Sequence, residues 1–208
     1  TSGSARTSAR PDGGPVRLGV NGVAGRMGRT VVETAAERED VEAVFGLDVA
    51  EADAAVDVPV YAPEAVDEAI ETHEPAAIVD FTIPEATLDL AETCASAGVP
   101  LVVGTTGFED GDLARLREDA EATPVLKATN FSRGIQAFLR ALGPALEALE
   151  GYDVELAEPH HNAKRDAPSG TAKTILETIW EHRDLEPVYG REGIQPREDD
   201  EIGVLVSR

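Results

Sequence analysis

Residues 16–28 read Val-Arg-Leu-Gly-Val-Asn-Gly-Val-Ala-Gly-Arg-Met-Gly, and this stretch decides the fold. A β-type run leads into a glycine-rich turn, and the chain after the turn predicts a helix. Gly22, Gly25 and Gly28 are spaced by three, which differs from the usual G-x-G-x-x-G. Small residues still let the backbone approach a pyrophosphate, which the N–H groups of a helix N-terminus bind. The stretch predicts a dinucleotide-binding turn; the alternative is a tight turn whose glycines serve only packing.

Asp48 closes the next predicted strand, which covers 41–47. In dinucleotide-binding folds an acidic residue at this place accepts hydrogen bonds from the adenosine ribose. Val49 follows it instead of a basic residue, so a ribose 2′-phosphate would meet a carboxylate there. This favours NADH over NADPH as the cofactor, although Arg26 is placed where its guanidinium can reach that phosphate.

Strand and helix signals alternate as far as residue 130. Strands are predicted over 16–21, 41–47, 76–81, 99–103 and 125–129, and helices over 63–72, 84–97 and 109–121. Residues 49–60 form a polar excursion between two of these elements. The β-α-β-α order predicts an α/β fold with a doubly wound parallel sheet of the Rossmann type.

The pattern changes after Asn130. A long helix over 132–149 has apolar residues at helical spacing and a Gly143-Pro144 pair at which it can kink. A strand over 152–157, a helix over 170–182, a polar loop and a strand over 202–206 follow. We predict a dinucleotide-binding domain over 16–130, a second, α+β domain over 131–208, and a disordered tail over 1–15.

Three further turns follow strands of the first domain, at the edge where a doubly wound sheet binds its ligands. They contain Phe81, then Gly104, Thr105 and Thr106, and finally Ala128, Thr129, Asn130 and Phe131. Glycine permits close backbone approach, and the threonines offer hydroxyl groups. Each turn alone would be an ordinary connection. Because all three follow parallel strands at the same edge, we expect them to contribute to the cofactor site.

The composition limits the possible partners. The 208 residues include 40 acidic and 18 basic ones, which gives a formal net charge of −22, and only three of the basic residues are lysines. Such a surface repels nucleic acid and anionic membranes, so we expect neither as a partner. It is typical of halophilic proteins, whose charge repulsion is screened by salt; the alternative is an ordinarily acidic cytosolic protein.

Targeting and redox signals are few. The N-terminal residues lack the apolar segment of a secretory signal, and no run is long enough to span a membrane, so we expect a cytoplasmic protein. The single cysteine, Cys94, excludes an intrachain disulfide and is expected as a buried thiol in a helix.

Residues 154–174 carry the strongest chemical signal. His160 and His161 follow a strand-like run, Lys164 comes four residues after His160, and Pro168 precedes a predicted helix start. Ser169, Gly170 and Thr171 would form the cap and first turn of that helix, where N–H groups suit a carboxylate. The segment therefore predicts a site that binds a small anion and gives it a proton. Zinc is not expected, because His73 and His182 lie on predicted helices without ligand spacing.

From about Val16 to Arg208 the chain resembles the 4-hydroxy-tetrahydrodipicolinate reductases (dihydrodipicolinate reductases) of diaminopimelate and lysine biosynthesis. The motifs that carry this resemblance are Gly-Val-Ala-Gly-Arg-Met-Gly (22–28), Asp-Phe-Thr (80–82), Gly-Thr-Thr-Gly-Phe (104–108), Asn-Phe-Ser (130–132), the segment 155–172, Gly-Arg-Glu-Gly (190–193) and Glu-Ile-Gly-Val (201–204). The His-His segment is long and specific to this family. The resemblance implies an NAD(P)H-dependent reductase of a small dicarboxylate, assembled as a homotetramer.

The resemblance also implies roles for individual residues. His160 would be the catalytic proton donor and acceptor, and Lys164 a proton donor. The substrate carboxylate would be held by His161, Gly170 and Thr171, together with Lys164 and Ser169. The cofactor would be held by Gly22, Val23, Ala24, Gly25, Arg26, Met27, Asp48, Phe81, Gly104, Thr105, Thr106, Ala128, Thr129, Asn130 and Phe131. The physics agrees, because hydride addition to an imine-conjugated ring leaves negative charge that a nearby acid must neutralise.

The chain departs from the family pattern in two places. Thr129 stands where the family usually has proline, and family members continue beyond residue 208, so the second domain would be incomplete relative to the family. Two other functions therefore stay open. One is a non-catalytic dinucleotide-sensing module, and the other is a related amino-acid dehydrogenase.

Overall fold

The computed structural model describes residues 13–49, 56–162, 167–190, 192 and 196–207. Contacts divide the chain into two units, Thr1–Ala128 and Thr129–Arg208, called unit 1 and unit 2 below. The predicted tail over 1–15 falls mostly outside the described residues, as does part of the predicted excursion over 49–60. None of the helices in the described part of the chain combines the length and apolar character needed to cross a bilayer.

Unit 1 is built around a parallel sheet of six strands. Its elements are β1 (Val16–Asn21), α1 (Arg26–Ala36), β2 (Val41–Leu47), β3 (Val60–Tyr61), α2 (Val66–His73), β4 (Ala77–Asp80), α3 (Pro84–Ala97), β5 (Leu101–Val103), α4 (Asp110–Asp119) and β6 (Val125–Lys127). The strand order is β3-β2-β1-β4-β5-β6, and every pair is parallel. The order reverses at β1, which is where sheets of this class bind nucleotides. The predicted Rossmann-type fold is confirmed.

The apolar strands explain why this sheet lies inside. β2 and β5 are largely Val, Leu and Phe, as expected of strands that are covered on both faces. The core includes Phe45, Leu47, Ile78, Leu101 and Val103, each at most 1% exposed. Cys94 on α3 is fully buried among them, as predicted. Burial raises the pKa of its thiol to about 12, and the nearby carboxylates of Asp80 and Asp119 add to the shift.

Unit 2 has a smaller sheet with two helices. Its elements are α5 (Arg133–Ala148), β7 (Val154–Pro159), α6 (Gly170–His182), β8 (Glu186–Tyr189) and β9 (Glu201–Ser207). The strands are parallel in the order β7-β9-β8. Its core contains Leu146, Leu176, Ile179, Ile202 and Val204, which come from both helices and the central strand. α5 runs through Pro144, and at Gly143 the ring of His182 packs so closely that a Cβ would lie 2.5 Å from Nε2.

The structure adds two strands that the sequence did not predict. β3 has only two residues, too few for a recognisable alternation. β8 lies in the segment predicted as a polar loop, and Pro187 in it argues against a strand. β8 pairs only with β9, so it is an edge strand of this sheet, where a proline without an N–H is tolerated. β7 also extends past the predicted end at residue 157, to Pro159.

Candidate active site

The glycine-rich turn between β1 and α1 packs too tightly for side chains. Gly22 has φ +80°, and a Cβ on it would lie 2.7 Å from the carbonyl oxygen of Phe81. A Cβ on Gly28 would lie 2.1 Å from the Gly22 oxygen. α1 begins directly after Gly25, which offers no side-chain cap to the first-turn N–H groups. This is the backbone geometry that binds a pyrophosphate.

Asp48, just after β2, lies beside this turn. Its Oδ2 accepts a hydrogen bond of 2.8 Å from the Ala24 N–H, and its Oδ1 accepts one of 2.9 Å from the Val49 N–H. The backbone N–H of Asp48 donates to the carbonyl of Tyr61 on β3. The structure therefore brings the predicted ribose-binding carboxylate to the glycine-rich turn, across a sequence separation of more than 20 residues.

A cavity of about 740 Å³ opens between these elements. It is lined by the glycine-rich turn, by residues that follow β2 and β4, and by one face of α3: Asn21, Gly22, Ala24, Gly25, Leu47, Asp48, Val49, Pro63, Glu64, Val66, Asp67, Phe81, Thr82, Ile83, Ala86, Asp89, Leu90 and Thr93. Four of the lining residues are carboxylates, and the described lining contains no lysine or arginine. The volume and apolar lining suit the adenosine half of a dinucleotide.

A buried carboxylate, Asp80, lies at the centre of the turns at the carboxyl ends of β1, β4 and β5. It is 0% exposed. Its Oδ1 accepts from Asn21 Nδ2 at 2.8 Å and Thr82 Oγ1 at 2.7 Å. Its Oδ2 accepts from Thr87 Oγ1 at 2.7 Å and Thr105 Oγ1 at 2.6 Å. Four neutral donors therefore satisfy this carboxylate, which otherwise would be costly to bury.

Hydrogen bonding at Asp80 and packing beside it bring together three of the predicted cofactor residues. The Oγ1 of Thr105 also accepts a 2.8 Å hydrogen bond from the Thr82 N–H, so the turns after β4 and β5 are joined directly. Next to this bond the Phe81 ring packs on Gly104, where a Cβ would lie 2.1 Å from the ring. Phe81, Gly104 and Thr105 are thus brought together, while Thr106 is exposed.

In unit 2, a second carboxylate joins the histidine segment to helix α6. His160 Nε2 lies 2.8 Å from Oε2 of Glu158. Ser169 donates from Oγ to the same Oε2 at 2.6 Å, and its N–H donates to Oε1 at 2.8 Å. Burial acts to raise the pKa of Glu158, but the hydrogen bonds from Ser169 and His160 outweigh it, so this pKa lies below its ordinary value.

The N-terminus of α6 is arranged as the sequence predicted. Ser169 is the N-cap, and its Oγ accepts a 3.0 Å hydrogen bond from the Ala172 N–H. No described residue accepts a hydrogen bond from the N–H groups of Gly170 or Thr171, and the first turn has no acidic residue. Two amides at the positive end of a helix can therefore receive a carboxylate.

The segment that opens unit 2 contacts the same helix. Asn130 Nδ2 donates to Thr171 Oγ1 at 2.9 Å, and Thr129 Oγ1 lies 3.0 Å from Thr174 Oγ1. Two residues predicted to hold the cofactor thus contact the helix predicted to hold the substrate. The Thr129 contact is one that a proline at this position could not make.

For some predicted site residues the structure shows no contact that supports their predicted role. Lys164 lies outside the described residues. His161, Arg26, Met27 and Phe131 are exposed. Three residues that the structure brings into the two sites, Asn21, Asp80 and Glu158, were not predicted. Glu158 had a recognisable signal, because alternate residues of a strand share a face and it precedes His160 by two.

Two family models match the chain. One, described as dihydrodipicolinate reductase, N-terminus, matches residues 16–131, and the other, described as dihydrodipicolinate reductase, C-terminus, matches residues 134–208. Together the two models match nearly all of the chain from residue 16 onward.

Similar proteins and a similar solved structure agree with this match. Proteins named 4-hydroxy-tetrahydrodipicolinate reductase from the halophilic archaea Haloarcula marismortui and Natronomonas pharaonis are 53% and 50% identical to the chain. The alignments cover 92% and 91% of the chain and 76% of each relative. Dipicolinate-bound dihydrodipicolinate reductase from Paenisporosarcina sp. TG-14 has a TM-score of 0.73 and 28% identity, with 93% of this chain and 79% of that one covered.

Proposed function

The chain belongs to the dihydrodipicolinate reductase family, and we propose that it reduces 4-hydroxy-tetrahydrodipicolinate to tetrahydrodipicolinate with a nicotinamide dinucleotide. In this reduction the 4-hydroxyl group leaves as water, while the ring gains one hydride and one proton. The reaction belongs to diaminopimelate and lysine biosynthesis. One observation of geometry carries the proposal. An imidazole that can exchange a proton and a helix end that can bind a carboxylate meet at Glu158. A dicarboxylate that must be held and protonated requires both groups.

The dinucleotide fits the residues of unit 1. We assign its pyrophosphate to the turn from Gly22 to Met27 and its adenosine ribose to Asp48. The tight approach at Gly22 and Gly28 and the uncapped start of α1 support this assignment. Phe81 and the 104–106 turn of unit 1 would hold its nicotinamide half, and the family resemblance assigns residues 128–131 to the cofactor as well. When bound, the dinucleotide supplies the hydride.

The chain's own residues supply the rest of the chemistry. The N–H groups of Gly170 and Thr171 bind one substrate carboxylate, with His161 and Lys164 as hydrogen-bond partners. His160 exchanges the proton that hydride addition requires, and Lys164 donates to the substrate. We take the positions of Lys164 and His161 in the site from the family resemblance, and that of His160 from its contact with Glu158.

The first experiment measures NADH oxidation with 4-hydroxy-tetrahydrodipicolinate as substrate. We expect His160→Ala and Lys164→Ala to lower kcat by about 100-fold, because each removes a group for proton transfer, and to leave the dissociation constant of NADH unchanged. Wild-type chain that binds NADH without oxidising it would identify a sensing module. Equal losses of NADH affinity in both variants would contradict the roles assigned to them.

We propose NADH as the preferred cofactor. The carboxylates of Asp48, Glu64, Asp67 and Asp89 line the cavity, and a 2′-phosphate would be repelled there. Replacing Asp48 by Asn keeps its size and removes its charge, so we expect the ratio of NADPH to NADH affinity to rise about tenfold. Asp89→Asn, on the α3 side of the cavity, is the control and should change the ratio less. A wild-type preference for NADPH would refute the proposal.

By resemblance we propose a cytoplasmic homotetramer, with residues 16–130 binding the cofactor and residues 131–208 binding the substrate. Sedimentation at molar KCl tests the oligomeric state. A monomer at micromolar concentration would contradict it.

A further inference from the structure

The carboxylate of Glu158 has three hydrogen-bond contacts, which come from two residues. Oε2 faces His160 Nε2 at 2.8 Å and Ser169 Oγ at 2.6 Å, and Oε1 faces the Ser169 N–H at 2.8 Å. The glutamate side chain is 13% exposed and the histidine side chain 23% exposed, so bulk water reaches the pair only partly. Because the Glu158 carboxylate is mostly shielded from solvent, His160 and Ser169 are its main hydrogen-bond partners.

The ionisation of Glu158 fixes the direction of these bonds. Its pKa lies below the ordinary value, because donors from Ser169 and His160 together outweigh the effect of burial. An ionised carboxylate can only accept hydrogen bonds. The Nε2 atom of His160 must therefore carry the proton of the 2.8 Å contact. In the neutral ring this leaves the lone pair on Nδ1.

We propose that Glu158 is a positioning residue for His160: it holds the imidazole with Nε2 protonated, so that Nδ1 is the nitrogen that exchanges a proton with the substrate. The exchange of a proton at Nδ1 rests on the proposed function, whereas the holding of the ring does not. Among the described residues, Glu158 is the hydrogen-bond partner of the His160 ring, and the contact is made at Nε2. Fixing a histidine tautomer through the other ring nitrogen is a general way to prepare an acid or base.

The same carboxylate also places His160 relative to the anion site. Ser169 is both a donor to Glu158 and the N-cap of α6, so one side chain links the imidazole to the first turn of the helix. The backbone N–H of His160 donates to the carbonyl of Ser207 on β9, which extends the β7–β9 ladder beyond Pro159. Both the backbone and the ring of His160 are therefore held, and the ring has little freedom to present Nε2 instead.

Nitrogen-15 NMR of the histidine rings tests the proposal directly. The chain has four histidines, so the spectra are simple, and a His160→Asn variant assigns the resonances of His160. At a pH where the ring is neutral, we expect the wild type to show the Nε2-protonated tautomer. In Glu158→Gln the amide can donate to Nε2, so we expect a substantial population of the Nδ1-protonated form. A wild-type ring protonated on Nδ1 would refute the proposal without any variant.

Two further variants separate positioning from general effects on the fold. Glu155→Gln is the matched control, because Glu155 lies on the same strand, is exposed and faces Arg197 instead of His160. It should leave the His160 tautomer unchanged. Glu158→Asp keeps the charge on a shorter side chain and should retain more of the Nε2-protonated form than Glu158→Gln. Equal tautomer populations in wild type and Glu158→Gln would show that the carboxylate does not position the ring.

Turnover then distinguishes this proposal from the proposed function. We expect kcat of Glu158→Gln to fall about 100-fold with KM for NADH unchanged, because only proton transfer is affected. An active wild type with an unaffected Glu158→Gln variant would overturn the positioning role while the reductase assignment stands. The NMR result does not depend on turnover, so an inactive wild type with the expected tautomer change would instead overturn the reductase assignment.

Discussion

Each unit of this protein has a hydrogen-bonded carboxylate near the carboxyl end of a parallel strand. The two carboxylates differ in their burial and in the groups that donate to them. Asp80 in unit 1 is 0% exposed and accepts from one amide and three hydroxyls. Glu158 in unit 2 keeps partial exposure and accepts from a serine and an imidazole. The donors to Asp80 are an amide and hydroxyl groups, whereas one of the donors to Glu158 is an imidazole, whose second ring nitrogen can also exchange a proton.

The difference suggests separate roles for the two carboxylates: the one in unit 1 stabilises the fold, and the one in unit 2 acts on a side chain proposed to transfer protons. Neutral donors around a buried carboxylate hold three turns in one arrangement, which suits a surface that must match a large cofactor. In our proposal, the carboxylate of Glu158 holds the imidazole through Nε2 and leaves Nδ1 to exchange protons. Removing Asp80 should therefore mainly cost stability, and removing Glu158 should mainly cost rate.

The largest effect is expected for Asp80→Ala. The change removes the acceptor of the Asn21 amide and of the Thr105 hydroxyl. It also removes the shorter of the contacts made by the hydroxyls of Thr82 and Thr87, which keep the carbonyl of Ile83 as a second acceptor. Buried polar groups without partners are costly, so we expect the free energy of unfolding to fall by about 3–5 kcal/mol. Urea unfolding at molar KCl measures this fall.

The single thiol gives an independent measurement of the same change. Cys94 is buried, and its pKa of about 12 leaves little thiolate near neutral pH, so it should react slowly with thiol reagents until unit 1 opens. Asp80→Ala should accelerate this reaction strongly. Glu92→Ala, an exposed carboxylate on α3, is the control and should change it little. If Asp80→Ala lowered the free energy of unfolding no more than Glu92→Ala does, the stabilising role assigned to Asp80 would be wrong.

The sequence predicted the elements that have local signals. Helices α3 and α6 begin and end where they were predicted, because Pro84 and Ser169 mark their first turns. The glycine-rich turn and the strand alternation were sufficient for the fold of unit 1. β3 and β8 were missed because one is very short and the other contains Pro187 at a sheet edge.

The two carboxylate networks were harder to predict. Residues 21, 80 and 105 meet only because the strand order places β1, β4 and β5 side by side, and no short pattern in the sequence encodes that order. Glu158 was missed for a different reason. The predicted strand ended at residue 157, so Glu158 and His160 were not recognised as alternate residues of one extended segment.

A matched pair of threonines tests whether the Asp80 network also positions the cofactor. Thr105 and Thr87 both donate to Asp80 Oδ2, at 2.6 and 2.7 Å, and both are buried. Only Thr105 also accepts from the Thr82 N–H and so joins two turns of the proposed cofactor site. We expect either change to valine to lower the free energy of unfolding by about 1–2 kcal/mol.

The pair should differ in cofactor binding. Thr105→Val should raise KM for NADH about tenfold, because the turns after β4 and β5 are no longer joined, and Thr87→Val should leave it nearly unchanged. Steady-state kinetics at saturating substrate separate the two. Equal KM values in both variants would mean that the network stabilises unit 1 without positioning the cofactor.

The smallest effect concerns pH and the Glu158 carboxylate. Its folded-state pKa lies below its ordinary value, which the unfolded chain restores. Glu158 therefore contributes stability that is fully present above its unfolded pKa and is lost as the pH falls through the lower, folded pKa. Comparing wild type with Glu158→Gln cancels the titration of the other acidic residues. We expect the wild type to exceed the variant by about 1 kcal/mol at neutral pH, and this difference to shrink toward pH ~3.

Urea unfolding at several pH values, in molar KCl to screen the surface charge, provides the measurement. Glu155→Gln serves again as the control on the same strand, and its difference from wild type should depend less on pH because that carboxylate is exposed. A Glu158→Gln difference that stays constant down to pH ~3 would mean that the Glu158 charge contributes nothing to folding. In that case the charge of Glu158 would not be needed to hold His160, because an uncharged hydrogen-bond acceptor would do the same. Glu158 and Asp80 would then differ only in how deeply they are buried.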